Sequence, residues 1–203
     1  GAIGISHEDL YKLNKRLICM RHAQSDDFEQ SSDFERPLSA RGQQDAAHMR
    51  HWFHAHGYHP QSALVSAAKR TAETYDLLQL KNYPAFFSKT IYLAPAATLL
   101  TALKKATGSS VLMIGHNFGI SDLANRLRKE RSENPKFKAF PAGAIWIIPF
   151  LMAFTDEEGN YAQCNFGERQ QLNEHPIQLD ARGEWSSKYK QGNTLHDTSI
   201  KEW

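Results

Sequence analysis

The 203-residue chain lacks most features that assign a protein to a specialised class. It has only two cysteines, Cys19 and Cys164, and no Cys-x-x-Cys pair, so we expect a core that needs neither disulfides nor a thiolate metal site. No apolar run is close to the length of about 18 residues that a membrane span needs. Residues 1–12 also lack the pattern of a secretion signal, in which basic residues precede an apolar run. These absences predict a cytoplasmic protein with no membrane partner.

An excess of charge of one sign is also missing. The chain carries 24 Lys and Arg against 22 Asp and Glu, a formal net charge of +2. This charge is too small and too dispersed to indicate a nucleic-acid partner. The basic run RLRKERSENPKFK, residues 126–138, is interpreted as a solvated loop, with a docking surface for an acidic partner as the alternative.

Three motifs of phosphoryl-transfer and hydrolytic enzymes are absent. The sequence contains no Gly-x4-Gly-Lys-Ser/Thr phosphate loop and no Gly-x-Ser-x-Gly nucleophile elbow. The Cys-x5-Arg pattern of cysteine phosphatases fails, because Ser25 and Gln170 stand where each cysteine would need an arginine. We therefore expect none of these three chemistries.

Short apolar runs alternate with helix-like segments along most of the chain. The predicted strands are 16–20, 63–66, 90–93, 111–114 and 144–150, the predicted helices are 39–56, 70–80, 96–106 and 120–129, and a hairpin joins 152–154 to 161–165. Continuous apolar strands separated by helices favour an α/β fold whose largely parallel sheet is covered on both faces. The length predicts a single domain, residues 1–203, with a core of about 16–167 and an irregular C-terminal extension of about 168–203.

Reactive side chains follow several of these strands. Arg21 and His22 end the first strand, Arg70 starts the helix after the second, and His116 follows strand 111–114, with Asn117 beside it as a candidate substrate-binding residue. Ligands of open α/β sheets bind beyond the carboxyl ends of the strands. A neutral imidazole is a competent nucleophile, and guanidinium groups hold phosphoryl oxygens. The combination predicts a phosphoryl site, although any one of these residues alone is more often structural.

Five motifs, in this order, resemble the histidine phosphatase (phosphoglycerate mutase-like) superfamily, and in particular its SixA-type phosphohistidine phosphatase branch. They are RHAQS at 21–25, ERPLSARGQQDA at 35–46, VSAAKRTAET at 65–74, VLMIGHNFGISDLA at 111–124 and FPAGAIWII at 140–148. The resemblance implies a three-layer α/β sandwich with a mixed, mainly parallel sheet and helices on both faces. It also implies an enzyme that needs no metal or other cofactor.

The resemblance further assigns roles to individual residues. His22 would be the nucleophile that is phosphorylated, and Arg21, Arg70 and His116 would form the pocket that binds the phosphate. Ser25 would add a hydroxyl or backbone donor to the bound substrate. The expected partner is phosphate or a phosphorylated substrate, including a protein that carries phosphohistidine.

The sequence departs from the superfamily where larger members carry an acid. Residues 80–95 contain no carboxylate, and the nearest candidate acids are Asp26 and Asp27. An alkoxide leaves poorly without a proton donor, whereas an imidazole, whose pKa is about 6.5, can leave already protonated. We therefore predict a protein phosphohistidine phosphatase. The alternatives are a general phosphomonoesterase that uses Asp26 or Asp27, and a non-catalytic protein that binds a phosphorylated ligand.

Two further features bear on the site. Glu73 stands where relatives often carry glutamine, and an extra carboxylate near the pocket would weaken phosphate binding. The segment HMRHWFHAHGYH, residues 48–59, is rich in metal-ligand residues, and a helix would align Asp45, His48 and His51. A solvated helix face explains this stripe better than a metal site, because no second cluster completes it.

Overall fold

The computed structural model describes residues 14–27, 32–80, 83–127, 137–152, 164–165 and 177–182. The helices are α1 (Ala40–Ala55), α2 (Lys69–Leu78), α3 (Ala96–Lys104) and α4 (Gly119–Leu127), with two short 3-10 turns, Asp33–Glu35 and Lys89–Ile91. The strands are β1 (Asn14–Arg21), β2 (Ser62–Ser66), β3 (Ala85–Ser88), β4 (Ser110–Gly115), β5 (Ile145–Met152), β6 (Cys164–Asn165) and β7 (Ile177–Leu179). No described helix is both long and apolar enough to cross a membrane.

All seven strands belong to one mixed sheet. Its order is β3-β2-β4-β1-β5-β6, and β7 also pairs with β5. Strands β3, β2, β4 and β1 are parallel, β5 is antiparallel to β1, and β6 and β7 are antiparallel to β5. Among the strands that the structure describes, only β5 therefore runs against the common direction, which confirms the predicted mixed, mainly parallel sheet.

The sheet is buried on both faces because successive side chains of a strand point to opposite sides. On one side, Leu17 and Cys19 pack in a cluster that includes residues of α3 and α4. On the other, Ile18 and Met20 pack in a cluster that includes residues of α1 and α2. Cys19 is completely buried, and burial raises the pKa of its thiol far above the usual range, so it is a core residue. The predicted three-layer architecture is confirmed.

The four predicted helices are confirmed to within a few residues, and Ser39 is the N-cap of α1 as its position indicated, accepting from Gly42 N at 3.0 Å. The strand predicted at 90–93 is wrong. The strand lies earlier in the sequence, at Ala85–Ser88 (β3), and the 3-10 turn Lys89–Ile91 follows it. Strand β3 lies at the sheet edge, where Phe86 and Phe87 are 56% and 48% exposed. Half-exposed edge strands lack the continuous buried pattern on which the prediction relied.

Residues 177–182 are the described part of the predicted C-terminal extension. Within the segment expected to be irregular, β7 pairs with Ile145–Ile147 of β5, and Leu179 is completely buried. Strand β6 pairs with the end of β5, as the predicted hairpin requires, while residues 153–163 lie outside the described part of the chain. Most of the basic run 126–138 also lies outside it.

Candidate active site

Adjacent parallel strands place the two predicted histidines side by side. Arg21 at the end of β1 is in register with Gly115 at the end of β4, so His22 and His116 follow equivalent positions. The His22 amide donates to the Gly115 carbonyl at 3.2 Å, and the two imidazole centroids lie 5.2 Å apart. Both residues are buried, with 5% and 4% of their surface exposed. The sheet register therefore creates the histidine pair.

Arg70 joins the two rings. It lies in the first turn of α2, which follows β2, and β2 is the other neighbour of β4. Its Nε donates to His22 Nε2 at 3.3 Å, and its Nη2 lies 3.3 Å from His116 Nδ1. Arg70 is only 2% exposed. One side of a single guanidinium group thus contacts both imidazoles.

The hydrogen bonds of His22 determine which of its nitrogens carries the proton. His22 Nδ1 lies 2.6 Å from the carbonyl oxygen of Ala23. A carbonyl oxygen only accepts, so in the neutral ring Nδ1 bears the hydrogen and Nε2 carries a lone pair. The Ala23 amide donates to Thr74 Oγ1 at 3.1 Å, and this hydroxyl donates to the Arg70 carbonyl at 2.7 Å. These contacts hold the ring so that Nε2 faces Arg70.

His116 has the opposite tautomer. An arginine only donates, so Nδ1 of His116 accepts from Arg70 and Nε2 bears the hydrogen. That hydrogen is donated to Ser66 Oγ, 2.8 Å away, at the end of β2. Ser66 is completely buried and was not predicted as a site residue. It fixes the ring orientation of His116.

Both imidazoles are neutral in the free protein at pH 7. Burial lowers the pKa of His22 well below its usual value, and the positive charges of Arg21 and Arg70 act in the same direction, against the hydrogen bond to Ala23. Burial, followed by the charge of Arg70, lowers the pKa of His116 to about 4. A neutral His22 retains the lone pair that a nucleophile needs.

These lowered pKa values predict a loss of stability in mild acid. Because the unfolded chain binds protons to these histidines at higher pH than the folded chain does, the free energy of unfolding falls as pH drops from about 6.5 to about 4. Across this window, the free energy of unfolding should fall by roughly 3 kcal/mol less in the His116→Gln variant than in the native chain. Urea unfolding at several pH values measures this difference. Equal pH dependence in both proteins would contradict it.

Arg21 and Asn117 converge on one backbone carbonyl. Arg21 Nη1 and Asn117 Nδ2 donate to the Phe140 carbonyl at 2.9 Å and 2.8 Å, and the Phe140 amide donates to Asn117 Oδ1 at 3.0 Å. Asn117 was predicted to bind substrate, but both polar atoms of its side chain hold the Phe140 backbone. The structure thus gives it a supporting contact, because a buried segment needs its backbone groups paired.

The remaining predicted substrate and acid residues form no hydrogen bond or ion pair with the histidine pair in the described part of the chain. The Ser25 hydroxyl accepts from Arg36 Nη1. Asp26 is half-buried and Asp27 is exposed, and within the described residues no hydrogen bond or ion pair connects either carboxylate to His22 or Arg70. Arg21, His22, Arg70 and His116 are therefore the predicted residues that the fold brings together.

The acid that does lie at the site is Asp33, which was not predicted. Its Oδ2 accepts from Arg70 Nη2 at 3.0 Å and from the Tyr92 hydroxyl, and its Oδ1 accepts from Arg36 Nη2 at 2.8 Å. These donors, Tyr92 foremost, hold the pKa of the Asp33 carboxyl far below its usual range. The spacing of Asp33 and Arg36 by three residues indicates a local ion pair, but it does not indicate the contact of Asp33 with Arg70.

Two other carboxylates, Glu73 and Asp45, bond to groups outside the histidine pair. Glu73 Oε1 accepts from the Leu38 amide at 3.2 Å, so it ties α2 to the segment before α1. Asp45, the acid of the proposed histidine stripe, is 2% exposed and pairs with Arg182 Nε at 2.5 Å and Arg41 Nε at 3.8 Å. Its ion pairs explain Asp45 as an anchor between α1 and the residues after β7.

The fold is similar to several solved structures. It superposes on a candidate phosphohistidine phosphatase SixA from Nakamurella multipartitia with a TM-score of 0.62 and 20% identity, covering 75% of this chain and 94% of that one. For a candidate SixA from Agrobacterium tumefaciens the TM-score is 0.60 with 23% identity, covering 70% and 98%. For the protein histidine phosphatase SixA complexed with tungstate the TM-score is 0.56 with 23% identity, covering 74% and 94%.

Sequence comparison finds less. An uncharacterized chloroplastic protein of Arabidopsis thaliana is 30% identical over 132 residues, which cover 57% of this chain and 60% of the relative. The chain thus matches less than two thirds of the length of this curated relative. No protein-family model matches the chain. The solved structures nevertheless confirm the predicted fold: the chain has a phosphoglycerate mutase-like α/β fold, which it shares with these SixA structures.

Proposed function

We propose that the protein is a phosphatase that transfers a phosphoryl group to His22 and then to water, and that its substrate is phosphohistidine on a protein. The observation that carries this proposal is the contact of one Arg70 edge with both His22 Nε2 and His116 Nδ1, each at 3.3 Å. A group between these three residues would meet a nucleophile, a fixed cation and a second imidazole together. The names of the structural neighbours are consistent with it.

In the first step His22 Nε2 attacks phosphorus and the bond to the leaving group breaks. The nitrogen is available because Nδ1 holds the ring hydrogen against the Ala23 carbonyl. Arg70 and Arg21 offset the charge that develops on the phosphoryl oxygens. A phosphoryl dianion beside His116 would raise the pKa of that imidazole, because an opposite charge favours the protonated form. His116 would then donate to a phosphoryl oxygen.

In the second step water attacks the phosphorus of phosphohistidine and His22 leaves as an imidazole. The Nδ1 hydrogen bond to Ala23 persists through both steps, so His22 needs no change of orientation. The products are phosphate and the dephosphorylated substrate. Across the two steps, the bond from phosphorus to the leaving group is replaced by a bond to His22 Nε2 and then by a bond to the oxygen of water, whose hydrogens leave with the phosphate.

The shortage of a proton donor supports a phosphoramidate substrate. Asp33 is the carboxylate nearest Arg70 in the described residues, but its donors keep it ionised, and a permanent anion cannot protonate a leaving group. The carboxylates of Asp26 and Asp27 form no hydrogen bond or ion pair with His22 or Arg70 among the described residues. A phosphohistidine leaving group does not need such a donor at neutral pH.

The activity itself is tested with an aryl phosphate. Such a substrate has a good leaving group and needs no acid, so it separates an enzyme from a protein that only binds phosphorylated ligands. Steady-state turnover, inhibited by inorganic phosphate, is the expected result. Binding of phosphate without turnover would favour the binding protein and overturn the proposed function.

Substrate preference is a separate prediction. We expect kcat/KM for a phosphohistidine peptide to exceed that for the matching phosphoserine peptide by at least about 100-fold, the scale on which general acid catalysis contributes. Phosphate release from two peptides of otherwise identical sequence measures the ratio. Comparable rates would favour the general phosphomonoesterase, and loss of phosphoserine turnover in Asp26→Asn or Asp27→Asn would then identify its acid.

A further inference from the structure

The guanidinium group of Arg70 presents two different edges to its surroundings. The side edge, Nε and Nη2, faces the two histidines. The end edge, Nη1 and Nη2, is held by Asp33: Nη1 donates to the backbone carbonyl at 2.6 Å and Nη2 to the carboxylate at 3.0 Å. We propose that Asp33 is a positioning residue that holds the end edge of Arg70, so that the side edge, which contacts the two imidazoles, is the edge presented to the phosphoryl group. The inference rests on the proposed function for its catalytic consequence.

Asp33 is itself held from three directions, so it acts as a rigid partner. The Tyr92 hydroxyl and Arg70 share Oδ2, while Arg36 takes Oδ1. The Tyr92 ring also meets the His116 ring edge-on, with centroids 5.4 Å apart, and lies 5.9 Å from the Arg70 guanidinium carbon. Tyr92 thus contacts the positioning carboxylate and two members of the pocket at once.

The physical need for this arrangement follows from burial. Arg70 is 2% exposed and carries a permanent charge, whereas the imidazoles at its side edge are neutral in the free protein. A buried charge needs a partner. Within the described residues, Asp33 is the carboxylate that forms an ion pair with Arg70. Without this carboxylate, Arg70 would keep the bond from Nη1 to the Asp33 backbone carbonyl but would lose the charged contact that holds Nη2.

Fixing the orientation matters because arginine binds phosphoryl oxygens most strongly through two parallel hydrogen bonds. With the end edge occupied, an incoming phosphoryl group can take both bonds only from Nε and Nη2. That edge contacts His22 Nε2, the attacking atom. Asp33 would therefore guide the phosphoryl group to the nucleophile, although it touches neither the substrate nor His22.

The charge of Asp33 has an opposing effect, which makes the inference testable. A carboxylate close to the pocket repels a phosphoryl dianion. If Asp33 acted only through this repulsion, replacing it would tighten the binding of the anion. If Asp33 instead positions Arg70, replacing it would weaken the binding of the anion. Tungstate and inorganic phosphate are suitable tetrahedral probes, because their binding needs no turnover.

The experiment measures the dissociation constants of both anions by calorimetry for the native chain and for Asp33→Ala, Tyr92→Phe and Glu35→Ala. We expect Asp33→Ala to weaken binding about tenfold or more, as loss of a charged hydrogen-bonded partner does. Tyr92→Phe removes only the hydroxyl and should weaken binding by a smaller factor. Glu35→Ala is the matched control, since Glu35 is an exposed acid in the same 3-10 turn, and its binding should stay within about twofold.

A double-mutant cycle separates positioning from general damage. In an Arg70→Ala background, Asp33→Ala should change anion binding little, because the residue through which it acts is gone. Equal effects in both backgrounds, or tighter binding in Asp33→Ala, would overturn the inference. If Arg70→Ala does not fold, unchanged binding in Tyr92→Phe together with tighter or unchanged binding in Asp33→Ala has the same consequence.

Failure of this inference is distinguishable from failure of the proposed function. If the native chain turns over an aryl phosphate and Asp33→Ala keeps both KM and kcat, Asp33 does not position Arg70, and the phosphatase assignment stands. If the native chain binds tungstate but has no turnover, the anion dissociation constants still test Asp33. The expected kinetic signature is a rise in KM with a fall in kcat, whereas a purely structural residue would change only the melting temperature.

Discussion

Under the proposed function, replacing His22 with alanine is expected to lower turnover of an aryl phosphate by about 10⁴-fold or more, because the variant would lack the nucleophilic nitrogen. Folding should survive, since β1 and its pairing with β4 and β5 do not depend on the imidazole. Circular dichroism and a melting curve verify that. His51→Ala is the matched control: it removes an exposed histidine of α1 and should leave turnover unchanged.

A trapping experiment examines the same residue directly. The native chain is mixed with a labelled phosphoryl donor, quenched in alkali and digested, and the label should be acid-labile and located on the peptide that contains His22. Label on a peptide containing His116, or residual turnover in His22→Ala close to the native rate, would show that the nucleophile has been assigned to the wrong residue.

The second large effect is expected at Gly119, the first residue of α4. A Cβ built there would lie 2.0 Å from the Ala94 carbonyl oxygen, a backbone atom that cannot rotate away. We expect Gly119→Ala to destabilise the fold by about 3 kcal/mol or more, since overpacking costs about 1–3 kcal/mol even where side chains can shift. Activity should fall as well, because the Ile120 amide donates to the His116 carbonyl at 2.9 Å.

Gly115→Ala provides the comparison for this effect. Gly115 is buried at the end of β4, but its added Cβ would meet only Ile120 Cδ1 at 3.7 Å, an ordinary contact. Urea unfolding should therefore show a much smaller loss for Gly115→Ala than for Gly119→Ala. Similar losses in both variants would mean that the segment containing Ala94 moves easily to accommodate a methyl group.

The sequence predicted those parts of the fold whose signal is local. Strands β1, β2 and β4 are continuous apolar runs because helices cover both faces of the sheet, and the reactive residues follow them directly. The edge strand β3 escaped prediction because its aromatic side chains are half exposed, and the buried Ile91 that suggested a strand lies in a 3-10 turn. Strand β7 is three residues long and gains its identity only by pairing with β5.

The candidate site divides in the same way. Arg21, His22, Arg70 and His116 could be found because each stands at the end of a recognisable strand or the start of the next helix. Asp33 could not, because it meets Arg70 across 37 residues of sequence and no periodic pattern connects them. The roles of Ser66 and Tyr92 likewise depend on which atoms face each other after folding. Tertiary contacts of this kind leave no trace in residue spacing.

The residues that follow β5 in sequence protect the outer edge of that strand. Two short strands cover it: β7 pairs with Ile145–Ile147 and β6 with Leu151–Met152. Between them lies Pro149, which has no amide hydrogen to offer a neighbouring strand. An uncovered apolar edge is a template for pairing with another chain. A chain that ended before β7 would expose the backbone of Ile145–Ile147 and become prone to aggregation, even though both His22 and His116 would still be present.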